Sequence, residues 1–216
     1  MKLYYHPLST YSQKAMIALN EKGIAYEPVV VNLRSPEERA AYEKIYPIGK
    51  VPFLQPTPEH QVPESTSIIE YLEDKFPGTT RLIPQGGGDA ARQVRFMDRM
   101  TDLYFDEPVV ELLFQQFGFR PKDDEKAARA HKHIALTYAH LDQRLAAQKW
   151  ICGDEFSMAD CAAIPPLFYA QIVAPFGNHP HIVAYWQRAQ QRASYAKVKA
   201  EFEPIWDGML AQSRAA

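Results

Sequence analysis

The chain has 216 residues, 46% of them hydrophobic and 23% charged, which is enough apolar material for one large buried core or two small ones. Its formal net charge is −2, with 24 Lys and Arg interspersed among 26 Asp and Glu, so there is no basic tract to neutralise a nucleic acid and no polybasic anchor for a membrane. Met1 leads straight into KLYYH without a basic region, a long apolar segment or a small-residue cleavage site; the expectation is a cytoplasmic protein whose partner is a small molecule or another protein.

The first 78 residues alternate in pattern. KLYYH reads as a short strand, and STYSQKAMIALNEKG as a helix stopped by Gly23. YEPVVVNL is a second, β-branched strand. SPEERAAYEKIYP then supplies an N-cap in Ser35, a first-turn proline in Pro36 and a capping-box acid in Glu38. VPFLQ and HQVPE, separated by a proline-rich turn, read as a hairpin, and STSIIEYLEDKFPG as a helix ending at Pro77 and Gly78. The order is βαβαββα. TTRLIPQGGG, residues 79–88, lacks periodicity and serves as the linker.

Residues 89–216 read as all helical. A first long helix covers DAARQVRFMDRMTDLYFDEPVVELLFQQ, with a kink expected at Pro108; a second covers DDEKAARAHKHIALTYAHLDQRLAAQK. SMADCAAIPPLFYAQIV follows, where Pro165 and Pro166 predict a kink or an early end, and then a helix beginning near HPHIVAYWQRAQQR. The fold class is therefore two-domain, α+β followed by all-α. Cys152 and Cys161 are nine apart in one segment, unlike a zinc pattern and awkward for a disulfide, so reduced thiols are expected. His131, His133 and His140 are spaced by two and seven and fall largely on different helix faces, which favours solvated surface over a metal site.

Three features carry chemistry. In GKVPFL, Pro52 is either an ordinary edge-strand proline or a cis proline that turns the backbone of Val51 outward to hold an extended ligand. In PES, Ser65 or Ser67 is read as an N-cap, with Ser67 and Glu70 forming a capping box. Glu64 and Ser65 are then free at a helix N-terminus to receive an α-amino acid head group. In PLSTYSQKAM, four hydroxyls, Ser9, Thr10, Tyr11 and Ser12, stand at the positive end of the first helix with no general base beside them.

In order, spacing and residue type, LYYHPLSTYSQKAMIAL, GKVPFL and PESTSIIEYLEDKFP resemble the thioredoxin-like domain of the soluble, cytosolic glutathione S-transferases, in a bacterial-type, serine-type form. ICGDEFSMAD resembles the N-capping motif of the family's helical domain, with Ser157 and Asp160 as the box and Phe156 as a staple; this motif is structural. The resemblance covers essentially the whole chain. It implies glutathione as co-substrate and no metal: Val51 before Pro52 on the cysteinyl backbone, Glu64 and Ser65 at the γ-glutamyl end, Lys50 at the glycyl carboxylate. It further implies a catalytic hydroxyl that donates to the thiolate, first Ser9, with Tyr5, Thr10 and Tyr11 as the other positions used by relatives.

With no cysteine in residues 1–78, chemistry through a mixed disulfide is not expected. The reading is conjugation of small hydrophobic electrophiles, a detoxification activity, by a two-fold homodimer built on the first long helices. A glutathione-dependent isomerase and a non-catalytic glutathione-binding or regulatory protein are the alternatives. The second substrate is expected in an apolar interdomain cleft formed by Leu8, Tyr11, Tyr104, Phe105, Pro108 and Leu112, although at helical spacing part of this set belongs to the core.

Overall fold

The computed structural model describes residues 1–215, with side chains described through Gln212. Its first layer is β1 (Lys2–Tyr5), α1 (Thr10–Glu21), β2 (Glu27–Val30), α2 (Pro36–Glu43), β3 (Phe53–Thr57), β4 (His60–Pro63) and α3 (Ser65–Lys75). The four strands lie in the order β2-β1-β3-β4, with β1 parallel to β2 and antiparallel to β3, and β3 and β4 forming the hairpin. Alternation along β1 divides the core. Leu3 and Tyr5 join the large cluster with α1 and α3, whereas Tyr4 packs with Tyr42, Tyr46 and Phe53 under α2.

Local signals set several boundaries. Ser9 caps α1, its side chain accepting the Ser12 N–H at 3.3 Å, and the helix ends before Gly23, whose φ of 64° suits a residue without a Cβ. Ser35 caps α2 through the Glu38 N–H, with Pro36 in the first turn. Two capping expectations are corrected. The Glu38 carboxylate accepts from the Asn32 N–H at 3.3 Å, because the Ser35 N–H is already bonded to the Asn32 carbonyl. The Ser67–Glu70 box does not form: α3 begins at Ser65, directly after β4, and Glu70 makes a bidentate pair with Arg95 at 2.6 and 3.0 Å.

The helical layer is α4 (Gly88–Thr101), a π-helical turn (Asp102–Asp106), α5 (Glu107–Gln116), α6 (Asp124–Leu145), α7 (Met158–Val173), α8 (Pro180–Gln190) and α9 (Ala193–Ala215). The irregularity expected at Pro108 lies in the five residues before it, where i→i+5 bonding absorbs the disruption ahead of a proline seated in the first turn of α5. α7 neither ends nor breaks at Pro165 and Pro166. Most of its side chains are buried and it packs against α1, α4 and α5, so tertiary contact outweighs the two missing N–H donors. α9, which the sequence pattern did not separate from α8, is a distinct helix.

The layers meet along α1, whose Ala15, Met16, Ile17, Ala18 and Leu19 are all buried between the sheet and α7 and α9. Polar ties close the same seam. Arg192 grips Glu21 at 2.7 and 2.6 Å, Asn20 donates to the Ser194 carbonyl at 3.2 Å, and the Tyr5 hydroxyl donates to Glu201 on α9. At the start of α7 the expected box forms, the Ser157 N–H donating to the Asp160 carboxylate at 2.9 Å and the Ser157 side chain accepting the Asp160 N–H, while the Ser157 hydroxyl also donates to that carboxylate at 2.9 Å; Phe156 packs edge-on against Trp150. Cys152 and Cys161 are both free. Among the described residues no helix is long and apolar enough to cross a membrane.

Candidate functional site

A cleft of about 630 Å³ opens where the N-termini of α1 and α3 face the π turn, α5 and α6. Lys50, Val51, Pro52, Glu64 and Ser65 all line it, together with Tyr11 and Pro108. The loop before β3 is shaped locally. Gly49 has φ 66° and lies so close to Glu43 that an added Cβ would meet the carboxylate at 3.0 Å, and Tyr42 donates to the Lys50 carbonyl at 2.7 Å. The Val51–Pro52 peptide is cis. No other described residue bonds the N–H or C=O of Val51, so an extended chain can pair with it as an added strand. Across from it, Glu64 has φ 68° and ψ 131°, a backbone conformation L-residues rarely adopt, and no side chain caps α3. The first N–H groups of α3 therefore remain open beside the Ser65 hydroxyl.

The candidate hydroxyls go to different places. Ser9 accepts from Ser12 and so keeps its own proton free to donate. Thr10 is buried and does not line the cleft. Tyr11 reaches the cleft and donates to the Asp102 carbonyl at 3.3 Å; burial, then Asp106 and Asp102, holds its phenol well above the ordinary range. The Tyr5 hydroxyl is spent on Glu201, and burial followed by that carboxylate pushes its pKa up. His6 accepts the Leu8 N–H at Nδ1, and its pKa is lowered by burial and then by Arg34.

Beneath the cleft lies an ionic network that the sequence did not single out. Lys14 is buried and pairs with Asp98 at 2.7 Å and with Asp102 at 2.8 Å; it also donates to Thr66, which donates in turn to Asp98 at 2.7 Å. Burial pulls the Lys14 pKa down, but the two carboxylates outweigh it and the net shift is upward. Asp102, at the cleft surface, is pushed up to about 6, chiefly by burial. Asp106, fully buried, lies well above the usual carboxylate range for the same reason. The available signal was the spacing of Asp98, Asp102 and Asp106 by four, which puts one acid per turn on the side facing α1.

The expected second-substrate wall forms only in part. Pro108 lines the cleft, and Leu8 packs on the core edge while its carbonyl accepts from Tyr169 at 3.1 Å. Phe105 is fully buried edge-on against Tyr138, and Leu112 is also core. Tyr104 faces outward beside Met100, His133 and Leu136. The π turn redirects these side chains, because i→i+5 bonding shifts the register that a regular helix would have kept. The cleft is also more polar than expected, with Arg99, Glu107, Glu111, Arg120, Lys126 and Arg129 on its far walls. His133 packs edge-on against Tyr104, His131 is solvated, and His140 is half-buried.

Next to Arg120, and outside the residues that line the cleft, stands an aromatic group that the sequence reading missed. Phe119, after α5, packs on Phe114 and Phe117, and Phe117 packs on Trp206 of α9. Arg34, in the loop after β2, lies 3.8 Å above the Phe119 ring.

Comparison with known proteins matches residues 3–80 to the glutathione S-transferase N-terminal domain model and residues 105–193 to the C-terminal domain model. The chain is 30% identical to glutathione S-transferase 3 of Zea mays, over 93% of each chain. It is 31% identical to maleylacetoacetate isomerase of Pseudomonas aeruginosa, over 79% of this chain and 82% of that one. The solved structure of glutathione S-transferase 1-6 from Anopheles dirus species B superposes over 100% of both chains with a TM-score of 0.82 at 20% identity, a likeness of fold alone.

Proposed function

The chain belongs to the glutathione S-transferase family, and from that premise we propose that it is a glutathione transferase in which Ser9 favours the thiolate of bound glutathione. The observation that carries this reading is the cleft shared by Lys50, Val51, Pro52, Glu64, Ser65 and Tyr11, two residues after Ser9 in the first turn of α1. Val51 pairs with the cysteinyl backbone, the open end of α3 and Ser65 take the γ-glutamyl carboxylate, and Glu64 takes its ammonium, with Asp102 adding negative charge nearby. Lys50 meets the glycyl carboxylate. The thiol then lies over Ser9, and the missing base is no defect, since the nucleophile is the co-substrate's sulfur and its proton leaves to solvent.

Stabilising a thiolate by two pKa units takes about 2.7 kcal/mol. A hydrogen bond to a charged acceptor supplies about 1.5–3 kcal/mol and a helix N-terminus about 0.3–1 kcal/mol, so Ser9 and α1 together suffice. On an aryl halide the sulfur forms the new carbon–sulfur bond and the halide departs with the old bonding pair. The site contains no cysteine, consistent with conjugation and not thiol exchange. The protein acts as a homodimer in the cytoplasm, and the exposed apolar stripe of Phe96, Tyr104 and Leu136 supports the dimer.

The test is retention on immobilised glutathione and turnover of 1-chloro-2,4-dinitrobenzene. Ser9→Ala is expected to lower kcat by about 10–100-fold, the loss of one hydrogen bond to a charged group, with little change in glutathione KM. Tyr5→Phe is expected to leave kcat within about twofold while lowering stability by about 1–2 kcal/mol, because its hydroxyl ties α9 to the sheet. Retention without turnover across an electrophile panel supports a binding protein instead, and a kcat loss confined to Tyr5→Phe removes Ser9 from its role.

A further inference from the structure

On its helical side the cleft is lined by α6 through Lys126, Arg129, Ala130 and His133. These positions are spaced i, i+3, i+4 and i+7, so they form one stripe along the helix, basic at every place but Ala130. The stripe is fixed against the π turn: Thr137 donates to the Tyr104 carbonyl at 3.0 Å, and His133 packs edge-on against the Tyr104 ring. Arg99, in the last turn of α4, lines the same cleft three residues before Asp102. Much of the charge is already paired. Lys126 is bonded to its helix cap Asp123 at 3.1 Å, and Arg120 to Glu111. Arg99 and Arg129 are exposed and make no ion pair or side-chain hydrogen bond among the described residues, so neither is committed to holding the fold. On the acidic side Asp102 is held by buried Lys14, Glu111 by Arg120, and Glu64 is assigned to the glutathione ammonium. Glu107 alone is left in the cleft against two arginines. Leu103, Pro108 and Val110 add apolar surface there. Two uncommitted guanidinia from different helices, beside apolar surface, suit a hydrophobic molecule that carries a carboxylate.

We infer that Arg99 and Arg129 form a subsite for an anionic group on the second substrate, so that the preferred electrophiles are hydrophobic carboxylates. This rests on the glutathione transferase reading above and names its substrate class. The apolar body packs against Leu103, Pro108 and Val110, and the carboxylate accepts from the guanidinia. For an aryl chloride the glutathione sulfur bonds to the ring carbon, chloride leaves with the old bonding pair, and the thiol proton goes to solvent. Lys50, on the loop before β3 and not on the helical layer, remains the partner of the glycyl carboxylate.

The experiment compares 4-chloro-3-nitrobenzoate with the neutral 4-chloro-3-nitrobenzamide in the wild type, Arg99→Gln, Arg129→Gln, the double variant and Lys149→Gln. The last removes the same charge beyond the other end of α6, outside the cleft. The ratio of kcat/KM for the benzoate to that for the amide is expected to fall about threefold or more in each arginine variant and tenfold or more in the double variant, through KM for the benzoate, and to stay within about twofold in Lys149→Gln. An unchanged ratio in the double variant overturns the inference, as does an equal fall in Lys149→Gln, which would trace the effect to net charge. A rise in glutathione KM as large as that for the benzoate reassigns the arginines to glutathione. If neither halide is turned over, the transferase reading is the one that fails. Calorimetry with S-(4-carboxy-2-nitrophenyl)glutathione and S-(4-carbamoyl-2-nitrophenyl)glutathione then decides this one: tighter binding of the carboxylated conjugate that is lost in the double variant supports it, and equal or absent binding of the two overturns it.

Discussion

Asp102 joins the chemistry of the cleft to the stability of the fold. Burial, and after it the repulsion from Asp98, lifts its carboxyl to about 6 despite the opposing pull of Lys14, against about 3.9 in an unfolded chain. A raised carboxyl makes the folded state take up a proton. Its contribution to stability is therefore fully present below about pH 3.9 and is lost as pH rises through about 6. Urea unfolding of wild type and Asp102→Asn between pH 4 and 7 is expected to show the wild type gaining on the variant as pH falls; a difference that stays constant across this window contradicts the assignment. Residues were unevenly legible at this scale. Glu64 and Ser65 could be named from their place before an apolar helical run. Lys14 could not, because one lysine in a helix reads as solvated until α4 and the π turn bring Asp98 and Asp102 onto it.

Helix ends show where local chemistry decides and where it is overruled. The Ser157–Asp160 box formed as its spacing predicts, and the fold adds to it: Asp160 also accepts from the Ile151 N–H at 3.0 Å and from the Tyr185 hydroxyl at 3.2 Å. An exposed cap is worth about 1 kcal/mol, but leaving several buried donors without an acceptor raises the expected cost of Asp160→Ala to about 3 kcal/mol. Urea midpoints measure it, and a loss no greater than that of an ordinary cap would reduce the box to a local device. The Ser67–Glu70 box, equally good on paper, is absent because β4 pairs with β3 up to Pro63 and the chain turns into α3 at once. Burial likewise carries α7 through two prolines, and the register shift of the π turn takes Phe105 away from the cleft. In each case a tertiary contact competes with a local preference worth only about 1–3 kcal/mol.

At the scale of the molecule, α4, the π turn and α6 present Phe96, Tyr104 and Leu136 at 50%, 48% and 62% exposure, an apolar stripe that two-fold pairing would cover. Sedimentation velocity at micromolar concentration is expected to give a dimer, and Tyr104→Glu combined with Leu136→Glu to give a monomer; a monomeric wild type would end the proposal. What the sequence by itself determined was the βαβαββα order of the first layer, its succession by a helical layer, and the naming of Lys50, Val51, Pro52, Glu64 and Ser65, which line one cleft. Those depend on periodicity, turn residues and motifs contiguous in the chain. Only the tertiary structure decided which hydroxyls are already engaged, which aromatic residues gather after α5, and that the far walls of the cleft are charged. Tyr5 meets Glu201, Arg34 meets Phe119 and Lys14 meets Asp98 across 196, 85 and 84 residues of sequence, and no local pattern encodes a contact made only when two layers pack.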